Sequence, residues 1–139
     1  MPVWRGDRQA MLIMPSYLDP PTELVRDWIG TALTCVPDLV RGRAALITAE
    51  LVDNARWFGR GPYVLHLSLH HAHRTLTIAV EDGSPGLGAC WADRVGLMLV
   101  AGLSERWGVE DVEQGKAVWA ELSLVPSGST ADDEEEIPR

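Results

Sequence analysis

The chain is predicted to fold as an α+β two-layer sandwich, with helices on one face of a mixed, mostly antiparallel sheet. Three observations predict it. Two short runs, Tyr63 to His71 and Leu76 to Val80, alternate apolar and polar residues as half-buried strands do. Two stretches ahead of them and one behind carry apolar residues at helical spacing. The resulting order is strand, two helices, hairpin, helix, hairpin, which gathers the helices on one side of a sheet.

Taken in order, Gln9 to Tyr17 holds an apolar centre, Met11 to Met14, and is expected as a first strand. Asp19-Pro20-Pro21-Thr22 is a helix-start signal, an acceptor side chain followed by proline in the first turn. Leu24, Trp28 and Leu33 continue it at helical spacing. Pro37-Asp38 restarts the chain with Asp38 as N-cap, and Leu39, Ile47, Leu51, Ala55 and Phe58 are the expected core stripe of a long second helix ending near Gly59. Gly61-Pro62 turns into the first hairpin. There Tyr63, Leu65, Leu67 and Leu69 share one face with Leu76, Ile78 and Val80, while His66, Ser68 and His70 face away with Thr75, Thr77 and Ala79. One buried face is expected. A glycine-rich loop follows from Asp82 to Gly88, then a third helix from Val95 to Arg106. A closing hairpin joins Trp107–Glu113 to Lys116–Leu124 at Gln114-Gly115.

At 139 residues the chain accommodates one core and not two, so residues 1–125 are expected as a single domain. Residues 126–139 turn to Ser, Gly and Thr and then to Asp132–Glu136, the composition of a disordered acidic tail. Five acids and Arg139 in that tail supply −4 of the net charge of −8. This balance argues against a nucleic-acid backbone as partner, since that needs a basic face. The apolar run Val95–Leu103 is far shorter than the roughly 20 residues a membrane span requires. No signal-type apolar stretch follows the charged residues before Arg8, so a cytoplasmic location without membrane attachment is expected. Cys35 and Cys90 fit neither a metal-ligand nor a disulfide spacing and are expected as buried thiols. His66, His70, His71 and His73 lack a completing Cys or acidic cluster, and a solvated hairpin edge explains them better than a metal site.

Four motifs carry chemistry: Glu50-Leu51-Val52-Asp53-Asn54, Asp82-Gly83-Ser84-Pro85-Gly86, Gly96-Leu97-Met98-Leu99-Val100, and Gly115-Lys116-Ala117-Val118-Trp119-Ala120-Glu121-Leu122. Glu50 and Asn54, four apart on a helix, share a face. By spacing alone they read as a solvated helix face. Asp82-Gly83 is a turn signal by itself, and glycine there equally lets a ligand approach the backbone.

In this order the motifs resemble the nucleotide site of the GHKL ATPase superfamily, which includes gyrase, heat-shock chaperones, histidine kinases and mismatch-repair ATPases. The likeness runs from about Leu24 to Leu124. It is closest to the single-domain anti-sigma regulatory factors and serine kinases abundant in high-GC actinobacteria. The resemblance implies the Bergerat fold, and ATP with Mg²⁺ as ligands. It implies Glu50 as general base, Asn54 as the Mg²⁺ ligand, and Asp82 as acceptor for the adenine amino group. Gly83 and Gly86 would shape the same pocket.

The third motif matches only the second half of the family's glycine box. Gly96 is kept at the helix start whose N–H groups face phosphate. Arg94 and Val95 stand where glycine and arginine are usual, and the lid segment ahead is short. Arg94 either contacts phosphate or occludes the site. Lys116, in the terminal-strand motif, is a candidate phosphate contact, while Trp107 and Trp119 are read as packing. The resemblance further implies a sigma factor or a STAS-type anti-anti-sigma protein as partner, and a homodimer paired through the sheets. A serine/threonine kinase is one reading of function; a non-catalytic interaction module with a degenerate nucleotide site is the other.

Overall fold

The computed structural model describes residues 8–14, 22–34, 36–58, 61–83, 95–113 and 115–125, the side chains of residues 22–24, 57, 58 and 95–97 excepted. The expected tail, most of the Asp82–Gly88 loop, Cys35, Cys90 and Arg94 lie outside the described residues. The elements are β1 (Arg8–Met14), α1 (Thr22–Ala32), α2 (Asp38–Phe58), β2 (Tyr63–His70), β3 (Thr75–Asp82), α3 (Val95–Leu103), β4 (Arg106–Val112) and β5 (Gly115–Ser123). The sheet order is β1-β2-β3-β5-β4. The fold is α+β.

Among the described residues every strand pairing is antiparallel, where a mixed, mostly antiparallel sheet was expected. The reason lies in the crossovers. Two helices between β1 and β2 return the chain to the end where β1 finished, so β2 runs back along it. One helix, α3, between β3 and β4 would make those strands parallel if they were neighbours. β5 is inserted between them instead and pairs antiparallel with both.

α2, 21 residues and about 31 Å long, packs against β3, β5, α1 and α3. Its buried stripe is Val40, Ala44, Ile47, Leu51 and Ala55. Leu39, expected in that stripe, is 56% exposed, because helical steps of three and four back from Ile47 reach Ala44 and Val40. Thr48 is buried in the same face and donates its hydroxyl to the Ala44 carbonyl at 2.7 Å. Asp38 is not the N-cap. The Arg41 amide bonds the Pro37 carbonyl at 2.9 Å, so Pro37 holds the cap position and the Asp38 carboxylate pairs with the Arg41 guanidinium.

Opposite α2, the sheet contributes Leu65, Leu67, Leu76, Ile78, Val80, Val118, Ala120 and Leu122 to the core, with Ile29 and Leu33 from α1 and Val100 from α3. Each fully buried leucine or isoleucine contributes about 1.5–3 kcal/mol relative to exposure. α3 ends at Leu103, three residues before the expected Arg106. The Glu105 amide bonds the Glu121 carbonyl at 2.7 Å, which draws the chain into the sheet immediately after the helix.

The face of the sheet turned away from the helices is not simply solvated, as the alternation suggested. His66, Ser68, Thr77, Ala79 and Ala117 on it are all buried. Trp119 lies across it, close enough to Gly108 that a Cβ there would stand 3.0 Å from the indole. Arg106 sits over the indole at 5.8 Å from the ring centre and bonds Glu121 at 2.5 Å.

Candidate functional site

Chain direction brings the motifs to one end of the sandwich. β3 finishes with Asp82, β5 begins with Gly115-Lys116, and the register sets Asp82 opposite Lys116. Met14 pairs with Tyr63 and Val112 with Gly115, so β1, β2 and β4 also meet this end. α2 finishes four residues before Tyr63, which holds its Asn54-bearing last turns at the same end, since four residues reach at most about 14 Å. α3 ends two residues before β4, which enters from the opposite end of the sheet.

At the centre of this end is an ion pair. Lys116 Nζ lies 3.0 Å from Asp82 Oδ1 and 2.8 Å from Oδ2, and each side chain is 1% exposed. Both residues stand on the helix side of the sheet, the next positions along from Val80 and Val118. Two charges taken this far out of water are tolerable only together, since either alone would carry an uncompensated desolvation penalty of several kcal/mol. The sequence reading gave Asp82 to a base and Lys116 to phosphate. The structure joins them to each other.

Gly115 makes the approach of the strands possible. A Cβ on it would stand 1.9 Å from the Asp82 carbonyl oxygen and 2.9 Å from the Gly83 Cα. No side chain fits there without moving backbone. Gly83, expected at the pocket, is therefore pressed against β5 as well as following Asp82.

Asn54 is buried at 7% exposure, and its Nδ2 donates to the Glu50 carbonyl one turn back at 2.9 Å. That bond uses the donor side of the amide and leaves Oδ1, the type of atom a hard cation binds, outside it. Glu50 is half-buried on the adjoining turn. Asp53 and Arg56 pair at 3.5 Å on the exposed side of the helix.

A cavity of about 630 Å³ opens at this end, lined by Gly61, Pro62, Val64, Glu81, Asp82, Gly83, Val112 and Glu113. The Gly61–Pro62 peptide in its wall is cis. Glu50, Asn54 and Lys116 do not line it. The fold thus sets the candidate base and metal ligand on α2 at the same end as Asp82, but not in this cavity. Gly86 and Arg94 lie outside the described residues.

Two functional-grade groups were missed by sequence reading. His66 is buried, and its Nε2 meets Glu81 Oε2 at 2.5 Å across the β2–β3 ladder. The histidine expected at a solvated edge is instead buried and hydrogen-bonded to Glu81 on the outer face. Alternation placed both residues on that face, yet only the register could have shown them adjacent. Farther along the same face His70, Thr75, Thr77, Arg106 and Trp119 line a polar cavity of about 330 Å³.

In the helix layer, an apolar groove of about 210 Å³ runs between α1 and α2 over Ile29, Gly42, Ala45 and Ala49. None of the motif pairs Glu50–Asn54 or Asp82–Lys116 opens into it. No helix of the described residues is long and apolar enough to cross a membrane. No model of a known protein family matches the chain, and no curated protein matches it.

Proposed function

We propose that this chain is a nucleotide-binding regulatory domain of the anti-sigma factor and serine-kinase kind, built on a Bergerat-type sandwich and acting in the cytoplasm. The reading rests on one observation: Asn54, Asp82 and Lys116 are carried to a single end of the sheet by elements far apart in sequence. Mg-ATP would supply the phosphoryl group. Asn54 Oδ1 would hold the cation and Asp82 would accept the adenine amino group. The acidic lining of the neighbouring cavity, with Glu81, Asp82 and Glu113, suits a cation-complexed polyphosphate better than a bare one. In transfer, Glu50 would take the proton of a serine hydroxyl on a STAS-type partner. The serine oxygen would form a bond to the γ-phosphorus as the bond to ADP breaks. A sigma factor is the other partner of this reading.

Calorimetry with Mg-ATP tests it. Asn54→Ala should weaken binding by about 1.5–3 kcal/mol, roughly ten- to a hundredfold, with folding retained. Unchanged affinity in that variant would remove the assignment of Asn54. Glu50→Gln should bind ATP as the parent does and lose phosphate transfer.

The second reading, a protein-interaction module without turnover, draws on the Asp82–Lys116 pair, because a carboxylate with an ammonium 2.8 and 3.0 Å from its oxygens already has a partner within the fold. A partner bound equally well with and without ATP, and never phosphorylated, would decide for the module.

A further inference from the structure

We infer that Lys116 is a displaceable counter-ion that pairs with the base-reading carboxylate of Asp82 and thereby sets how tightly nucleotide binds. The inference rests on the nucleotide-binding reading above. Three observations lead to it.

The first is placement. Along β5 the helix-side positions after Lys116 are Val118, Ala120 and Leu122, all in the core, and Asp82 follows Leu76, Ile78 and Val80 in the same way. Apolar residues at both positions would serve packing as well. Exchanging a buried ion pair for hydrophobic residues is commonly neutral or stabilising, so stability alone does not account for this pair.

The second is asymmetry. The Asp82 carboxylate sits on a short stem, at a point where a Cβ on Gly115 would stand 1.9 Å from the Asp82 carbonyl oxygen, so the backbone has no room to shift toward β5. It is a fixed acceptor. Lys116 carries its charge on four methylenes from the facing strand, so its head has the greater range of movement of the two.

The third is occlusion. The ammonium donates a hydrogen bond to Oδ1 at 3.0 Å and lies 2.8 Å from Oδ2, which accepts no hydrogen bond among the described residues, and each side chain is 1% exposed. An exocyclic amino group approaching Asp82 must share the carboxylate with the ammonium and draw its charge away from Lys116. The ligand offers a neutral N–H in exchange for a charge-assisted contact. That exchange opposes binding of the base, and relieving it should strengthen binding.

Adenosine is the probe, because it carries the base without phosphate and so isolates this contact from any grip of Lys116 on the phosphates. Titrations of the full chain with adenosine, and with Mg-ATP, would compare the parent, Lys116→Met, Lys116→Gln and the double variant Lys116→Met with Asp82→Asn. Lys116→Gln retains an uncharged donor for Asp82 and keeps the test open should the methionine variant not fold. The expected result is adenosine bound about tenfold tighter by Lys116→Met, a smaller gain for Lys116→Gln, and no gain in the double variant. Parent-like or weaker adenosine binding in the folded single variants, with Mg-ATP still bound by the parent, would overturn the inference and leave the nucleotide reading standing. No binding of either ligand by any form would overturn both.

Discussion

Glu81 and Asp82 are neighbours in the chain and point to opposite faces of the sheet, and each meets a basic partner there. Asp82 turns to the helix side and pairs with Lys116, with both side chains at 1% exposure. Glu81 turns to the outer side and pairs with His66, with the histidine side chain 3% exposed and the glutamate 25%. Sequence spacing treats the two acids alike. Their surroundings do not. The inner pair has both side chains almost fully out of solvent, so salt screens it little. The outer pair keeps one carboxylate partly wet, so its attraction is screened and its loss is partly made good by solvent. Charge by itself therefore says little about what an ion pair contributes; the depth of both partners decides it.

The largest expected effect comes from breaking the inner pair on one side. Asp82→Ala or Lys116→Ala should each lower unfolding free energy by about 3–5 kcal/mol in urea titrations, because each leaves the other charge buried. Replacing both, Asp82→Leu with Lys116→Met, should recover most of that loss. Losses below about 1 kcal/mol in both single variants would show the pair to be more hydrated than its burial implies.

Next comes the backbone contact that seats the pair. Gly115→Ala must separate β5 from the Asp82 carbonyl, and a loss of about 3 kcal/mol is expected from such overpacking, read as a lower urea midpoint. Gly108→Ala is the matching change on the outer side. Its Cβ would meet the Trp119 ring at 3.0 Å rather than backbone, and the smaller loss expected there would reflect an indole that can shift.

The outer ion pair should respond more gently. Glu81→Gln is expected to cost about 1 kcal/mol at low ionic strength, since a partly exposed charged contact contributes little net. Raising salt to about 1 M should shrink that difference while leaving the Asp82→Ala loss nearly intact. Equal salt sensitivity of the two would erase the distinction between the faces. The smallest change is a control away from both pairs. Gly42 lies within α2, and an added Cβ there meets nothing within 4 Å. Gly42→Ala should therefore raise stability by about 0.5–1 kcal/mol, measured in the same titrations.

Much of the architecture was legible in the residues. Helical spacing located α1 and α2 to within a few residues, and strict alternation located the β2–β3 hairpin, because local periodicity records which side of an element meets the core. The motifs on α2, β3 and β5 fell on those elements as expected. The misreadings have one origin. Leu39 was placed in the core stripe, when the helical phase set by Ile47, Ala44 and Val40 exposes it. His66 was placed in solvent by alternation, when the second face of a five-stranded sheet is itself largely covered at its middle.

The sequence by itself determined the kinds of element, their order, and the face on which each side chain stands. Only the tertiary structure decided which of those faces meet. The insertion of β5 between β3 and β4 makes the sheet antiparallel throughout, and it brings Lys116 to Asp82 across 34 residues of chain. Periodicity is a property of a few consecutive residues. Strand order and register are set by the packing of the whole sheet, so a lysine that reads as a free cation along the chain becomes, in the fold, the buried partner of the carboxylate it faces.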